Sequence, residues 1–318
     1  MVSLASHLSR LMLPRIGQEA AQTTGFHGWI RGGGYQPADT NANAAISLER
    51  VDVRNFVPFA NHDFERFALS SRESFSVALL ERTSHQLAGW PLLKLYYASF
   101  FAAHAVMRAL GSGVVKIDGP SASYLTEVLK LYDPNTAKLK GGAYVFRLVA
   151  DPSSPGLASI TLKPAPEGAG VHDGFWRLFC DFLGDVAKDA VANGAVDAQD
   201  FFATAGELTD VIKAGGSESG VWLSGMRNEI NYQHKYDAWF PIPGRAKILD
   251  VLDEAAALSD TTTIRLDRSK RKDPVGAFVS TTRFLACLNV ELSDLVAVRS
   301  TANSAFGQKW RRLATALP

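Results

Sequence analysis

A mainly α-helical fold with a minor β element is predicted by three observations. Apolar residues recur at helical spacing over most of the chain, most clearly across 91–110, 173–193 and 274–292. Residues suited to starting or stopping helices bracket those stretches, such as Pro91 and Gly111. Only two short runs, Tyr144 to Val149 and Leu157 to Leu162, read as strands. Joined by Pro152-Ser153-Ser154-Pro155-Gly156, they predict a small β-hairpin insertion.

In chain order, Ser3 to Ile16 has helical spacing through Leu4, Leu8, Leu11 and Met12. Gly32-Gly33-Gly34 and Gln36 to Asn41 read as loop by composition. These glycines follow no clear strand and open no apolar helix, which argues against a phosphate loop. Residues 1–60 are therefore expected to be a partly helical N-terminal extension. Asp63 to Thr83 is helical in spacing (Phe64, Phe67, Ala68, Phe75, Leu79, Leu80), with Ser71 placed to cap its second half. Trp90-Pro91 opens the strongest helix, through Leu110; apolar residues lie nearly all around it, so it should be central. Ser121 to Tyr132 is a shorter helix, started by Ser121 or Ser123 and ended before Asp133-Pro134. Asp173 caps a long helix to about Asn193, which Gly194 ends. The Gly/Ser-rich stretch 215–220 is a flexible join, and a helix from about Val221 to Tyr236 follows it. That helix stops before Phe240-Pro241-Ile242-Pro243-Gly244, and further helices are expected at 245–258, 274–292 and 294–315. The expected organisation is the extension 1–60, a helical domain 61–260 with an insertion near 133–170, and C-terminal helices 261–318 packed on the same body.

Composition narrows the function. Hydrophobic residues make up 47% and charged residues 20%, as in ordinary globular proteins. A net charge of +1 gives no global field for nucleic acid, so any such contact must come from a local basic surface. Cys180 and Cys287 both lie in apolar helical patterns and read as buried thiols in a reducing compartment. No apolar run approaches the roughly 18 residues of a membrane span. The N-terminus carries Arg10 and Arg15 and lacks a long uncharged core. A cytoplasmic protein without a membrane partner is expected. No Cys or His cluster has metal-ligand spacing, and no Walker loop or nucleophile elbow occurs, so neither a metal nor a cofactor is expected.

The stretch that carries chemistry is Met226-Arg227-Asn228-Glu229-Ile230-Asn231-Tyr232-Gln233-His234. On a helix, Asn231 lies one turn beyond Arg227 and His234 about two turns beyond. A fixed cation and a titratable imidazole on one stripe suit the holding and cleaving of a phosphodiester. The same residues admit a purely structural role, with Arg227 paired to a helix carboxylate and His234 stabilising the helix C-terminus. Tyr232 is expected to point away from the Arg227 face. Tyr96, Tyr97, Phe100 and Phe101 read as core aromatics. His104 and Arg108 share one face at i,i+4 spacing; they either reach the cleft of Arg227 or form a buried polar network. Arg265, Arg268, Lys270, Arg271 and Lys272, just before Pro274, are suited to RNA backbone contact or to a solvated loop balanced by Asp267 and Asp273.

Two segments resemble the HEPN superfamily of compact helical bundles. Leu95-Tyr96-Tyr97-Ala98-Ser99-Phe100-Phe101-Ala102-Ala103-His104 is similar to its Tyr-Tyr-Ala aromatic helix. Arg227-Asn228, with a six-residue spacer between Arg227 and His234, resembles its ribonuclease signature. The likeness covers about a third of the chain. It implies a HEPN-like bundle with additional helices and the hairpin insertion. The implied activity is metal-independent endoribonuclease, in a toxin or antiviral defence effector. In that role His234 moves the proton of the ribose 2′-hydroxyl or leaving oxygen. Arg227 grips the phosphate, and Asn228 bonds it or orients a neighbour. Asn231 and the 268–272 cluster would contact RNA, and His104, Arg108 and Tyr97 would support the site. The implied partners are RNA, a second copy of the chain, and a protein that inhibits or activates it. An inert HEPN-like scaffold that binds RNA or protein, and an unrelated helical adaptor, are the competing readings.

Overall fold

The computed structural model describes residues 3–18, 24–40, 45–84, 87–151, 153–166, 171–213, 222–240, 248–253, 260–266, 273–300 and 304–316. The labelled helices are α1 (Leu4–Leu11), α2 (Phe26–Gly32), α3 (Val53–Ser84), α4 (Gly89–Ala109), α5 (Gly119–Lys130), α6 (Val171–Ala192), α7 (Ala198–Lys213), α8 (Trp222–Gln233), α9 (Pro274–Arg299) and α10 (Ala305–Ala316). The strands are β1 (Gln36–Thr40), β2 (Ile46–Asp52), β3 (Ser112–Ile117), β4 (Gly142–Ala150) and β5 (Leu157–Pro164). The fold is mainly helical, as the spacing predicts.

Helix α4 is the axis. Ala98, Ala102, Ala103, Ala105 and Ala109 are fully buried along it. Small side chains let neighbouring helices approach closely, and α3 and α9 lie against α4. Ser71 is not a cap but sits inside α3, buried, its hydroxyl donating to the Ala98 carbonyl at 2.8 Å. Helix α3 begins at Val53, ahead of the expected Asp63, and includes Pro58. Helix α9 runs unbroken to Arg299 where two helices were expected to meet near 293. Ser293 does not interrupt it, because its buried hydroxyl bonds within the helix to Asn289 at 3.4 Å. By length and composition α9 is apolar enough to cross a membrane, but 78% of that window is buried inside the protein. Helix α10 starts where Ser304 Oγ accepts the Gly307 N–H at 3.0 Å. Of the helix expected at 245–258, only 248–253 lies among the described residues, and it is helical.

The expected hairpin is present as β4 and β5, with Val149 opposite Ser159. It is, however, the centre of a five-stranded antiparallel sheet in the order β1-β2-β5-β4-β3. Residues 36–40, read from sequence as loop, are an edge strand containing Pro37, a position where a missing N–H is tolerated. In β2 the buried residues are Ile46, Leu48 and Val51, and the register shifts between Leu48 and Val51. That irregularity breaks the two-residue alternation by which a strand is recognised. Helix α5 is capped by Asp118, whose Oδ1 accepts the Ser121 N–H at 2.8 Å, not by Ser121 or Ser123.

Arg108 locks the helices to this sheet. It is 2% exposed, and its Nε donates to Asp63 Oδ2 at 3.3 Å. Its Nη1 and Nη2 donate to the carbonyls of Ser112 and Val114 at 3.0 and 2.6 Å. The Leu148 N–H donates to the Gly111 carbonyl at 2.8 Å, so the Ser112 and Val114 carbonyls face away from β4. The guanidinium therefore satisfies the open edge of β3, which would otherwise invite pairing with another chain. Gly113 makes room for it: at φ +153°, a Cβ there would lie 1.1 Å from Arg108 Nη1.

Candidate phosphate-binding site

On α8 the residues Leu223, Met226 and Ile230 are buried, spaced to form one helical stripe against the core. Arg227 lies beside that stripe and so is carried half-buried onto α4, the helix against which α8 packs. Its Nη2 donates to the Tyr97 hydroxyl at 3.0 Å and its Nη1 to Asn228 Oδ1 at 2.7 Å. The guanidinium carbon lies 5.9, 5.8 and 5.7 Å from the ring centroids of Tyr96, Tyr97 and Tyr232. These distances are within the range in which ring faces attract a cation. The Arg227 Nε is buried without a hydrogen-bond partner, and no ion pair joins Arg227 to a carboxylate among the described residues. Burial opposes the charge, but the Tyr97 hydrogen bond and neighbouring hydroxyls hold the Arg227 pKa above its usual value. The guanidinium is thus a fixed, charged donor with unused capacity.

The N-terminus of α6 closes one side. Trp176 Nε1 donates to the Tyr96 hydroxyl at 3.2 Å, and that hydroxyl lies 3.0 Å from His172 Nδ1. The His172 ring centroid is 5.6 and 6.1 Å from those of Tyr96 and Tyr97. Burial, then the charge of Arg227, lower the His172 pKa, with Asp173 partly countering them. Asp173 does not act as the expected cap; it lies in the first turn of α6 and accepts the hydroxyl of buried Ser224 on α8.

His234 is not on the helical stripe. Helix α8 ends at Gln233, and His234 is an exposed residue in the left-handed region at φ +52°. The turn after it folds back on α8. Lys235 bonds Glu229 through both its N–H (3.1 Å, to the carbonyl) and its ammonium (2.7 Å, to Oε1). The Tyr236 hydroxyl donates to the same carboxylate, and Trp239 Nε1 donates to the Ile230 carbonyl at 2.5 Å. The His234 ring lies 6.4 Å from Trp239, and no hydrogen bond links it to Arg227 among the described residues.

The other expected site residues divide. Tyr97 accepts a hydrogen bond from Arg227. Asn231 is half-buried one turn beyond Arg227. Tyr232 is exposed and presents its ring to Arg227, contrary to expectation. Arg108 belongs to the buried network with Asp63 and β3, not to this site. His104 is stacked between Phe175 (3.8 Å) and Phe67 (4.5 Å) in the core. Arg268, Lys270, Arg271 and Lys272 lie outside the described residues. Sequence reasoning missed His172, Tyr96 and Trp176 as a connected set. The available signal was Tyr96 itself, a hydroxyl on an otherwise apolar helix that needed a partner. Cys180 and Cys287 are buried and in no disulfide, and burial pushes the Cys287 thiol up to about 11. Among the described residues no three His, Cys, Asp or Glu side chains converge to hold a metal.

His104 carries a pH prediction. Burial first, then Arg108, Arg66 and His172, depress its pKa well below 6.5. The unfolded chain therefore binds more protons, and the stability that His104 contributes at neutral pH is lost as pH falls below 6.5. The urea midpoint should be lower at about pH 5.5 than at about pH 7.5, and less steeply so in His104→Leu. His7 and His172, also depressed by burial, keep some slope in that variant. An identical slope in His104→Leu and wild type would contradict the assignment.

Comparison with known protein families, curated proteins and solved structures finds no match for this chain.

Proposed function

We propose that this protein is a metal-independent endoribonuclease of the HEPN type, acting at the junction of α4 and α8. One observation carries the reading. Arg227 is a guanidinium fixed by Tyr97 and Asn228, with a second N–H left on each terminal nitrogen and no carboxylate partner among the described residues. Such a group is suited to a phosphodiester, whose oxygens accept from a planar fork. His234, exposed beyond the end of α8, takes the proton of the ribose 2′-hydroxyl. The 2′-oxygen attacks phosphorus, and the bond from phosphorus to the 5′-oxygen breaks. The leaving oxygen takes a proton from a second imidazole, that of His234 in another copy of the chain. The products are a 2′,3′-cyclic phosphate and a 5′-hydroxyl. Arg227 stabilises charge on the non-bridging oxygens as it develops. The 268–272 cluster adds contacts to the RNA backbone. A toxin or defence role, restrained or triggered by a partner protein, belongs to the same proposal.

The position of His234 beyond the helix end favours a second reading, in which the site binds RNA phosphate without cutting it. Single-stranded RNA incubated with the purified chain in EDTA separates the two. Cyclic phosphate ends are expected, with the rate falling about a hundredfold to ten-thousandfold in His234→Ala. Unchanged cleavage in that variant, or ends carrying a 5′-phosphate, would overturn the assignment. Binding without any cleavage would establish the second reading.

A further inference from the structure

We propose that His172 is a further phosphate-binding residue of this site, presenting its Nε2–H beside Arg227. The inference rests on the reading of Arg227 as a phosphate ligand, and it assigns a role that the signature residues do not supply. A one-way chain of hydrogen bonds sets the state of the ring. Trp176 Nε1 is a donor only, so at 3.2 Å it gives its proton to the Tyr96 oxygen. The Tyr96 hydroxyl then has its own proton to donate, and His172 Nδ1 lies 3.0 Å away. Among the described residues Nδ1 is the only acceptor for that buried hydroxyl, which assigns the ring proton of neutral His172 to Nε2.

Protonating His172 would make Nδ1 a donor as well, and two donors would then compete for the Tyr96 oxygen. Every charged or titratable group facing the ring bears on its state. Arg227 on α8 and burial oppose a positive charge, and Asp173 on α6 favours one. Tyr97 packs its ring against His172 from α4, burial keeps the neighbouring Tyr96 hydroxyl neutral, and His104 is held neutral in the core. The ring is thus a neutral donor with a fixed tautomer. It shares the ring walls of Tyr96 and Tyr97 with the Arg227 guanidinium, whose carbon lies 5.9 and 5.8 Å from their centroids. His172 has no hydrogen bond from Nε2 among the described residues, and that nitrogen is not sealed from solvent. A phosphate bound by both groups would span Arg227 and His172 across the Tyr96 and Tyr97 rings they share. Division of labour follows: His172 and Arg227 hold the phosphate, and the exposed His234 is left to move protons.

The test is binding of a 2′-O-methyl single-stranded oligonucleotide, which cannot be cut, to the full chain. Wild type, His172→Ala and His172→Gln are compared after circular dichroism confirms that each is folded. His172→Ala should bind about tenfold more weakly, the loss expected for a hydrogen bond to a charged group. His172→Gln should recover most of that loss, because its amide nitrogen takes the place of Nε2; a merely structural histidine would not show this rescue. Isotope-labelled imidazole nitrogens in wild type should show His172 protonated on Nε2 and not on Nδ1. Equal binding by wild type and His172→Ala, or a proton on Nδ1, would overturn the role of His172 and leave the Arg227 reading standing. No binding by wild type would overturn both.

Discussion

Arg227→Ala is expected to lower RNA cleavage about a hundredfold to a thousandfold, the range seen when one preorganised donor to a developing oxyanion is removed. The chain should remain folded, because Tyr97 and Asn228, the partners it leaves behind, are only half-buried and can take water in its place. Arg227→Lys should rescue little. An ammonium on a flexible stem cannot bond Tyr97, Asn228 and a phosphate in one plane. The measurement is kcat/KM on a defined single-stranded RNA, with thermal melting of each variant alongside. Retention of wild-type kcat/KM in Arg227→Ala would remove Arg227 from the reaction.

Arg108→Met should give the largest loss of stability, about 3–5 kcal/mol, the cost of deleting one member of a buried ion pair. Asp63, only 12% exposed at its side chain, would keep the partly exposed Arg66 at 3.3 Å but lose its buried partner. The carbonyls of Ser112 and Val114 would lose their donor inside the protein. Asp63→Asn should be milder, and the double variant should lose less than the two single losses added, since the residues act as a pair. Urea unfolding followed by circular dichroism measures all three. Because Arg108 covers the open edge of β3, the single variant should also aggregate more readily. Strictly additive losses would contradict the pairing.

What the sequence disclosed follows from how local each signal is. Helix α4 is legible because it is apolar nearly all around and bracketed by Pro91 and Gly111, and α8 because Leu223, Met226 and Ile230 keep helical spacing; the Tyr97–Arg227 contact then follows from the two being packed together. Strand β2 is illegible because its buried residues run 46, 48, 51 across a register shift, so neither the two-residue nor the helical period fits. The spacing carries α8 to about Tyr236, but the helix stops at Gln233, one residue short of His234, and a left-handed His234 leaves the stripe. His172 was invisible for a different reason. Its partner Tyr96 is 76 residues away, and nothing near His172 in sequence marks it as more than an isolated histidine.

The central claim is that the Arg227 guanidinium receives a phosphate. The most direct measurement follows the Arg227 Nε–H resonance while a 2′-O-methyl RNA oligonucleotide is titrated into the full chain, assigned by its disappearance in Arg227→Lys. A saturable shift of that resonance, weakening as salt rises, is the expected result. A resonance that stays in place at concentrations saturating RNA binding, or an absence of binding altogether, would contradict it.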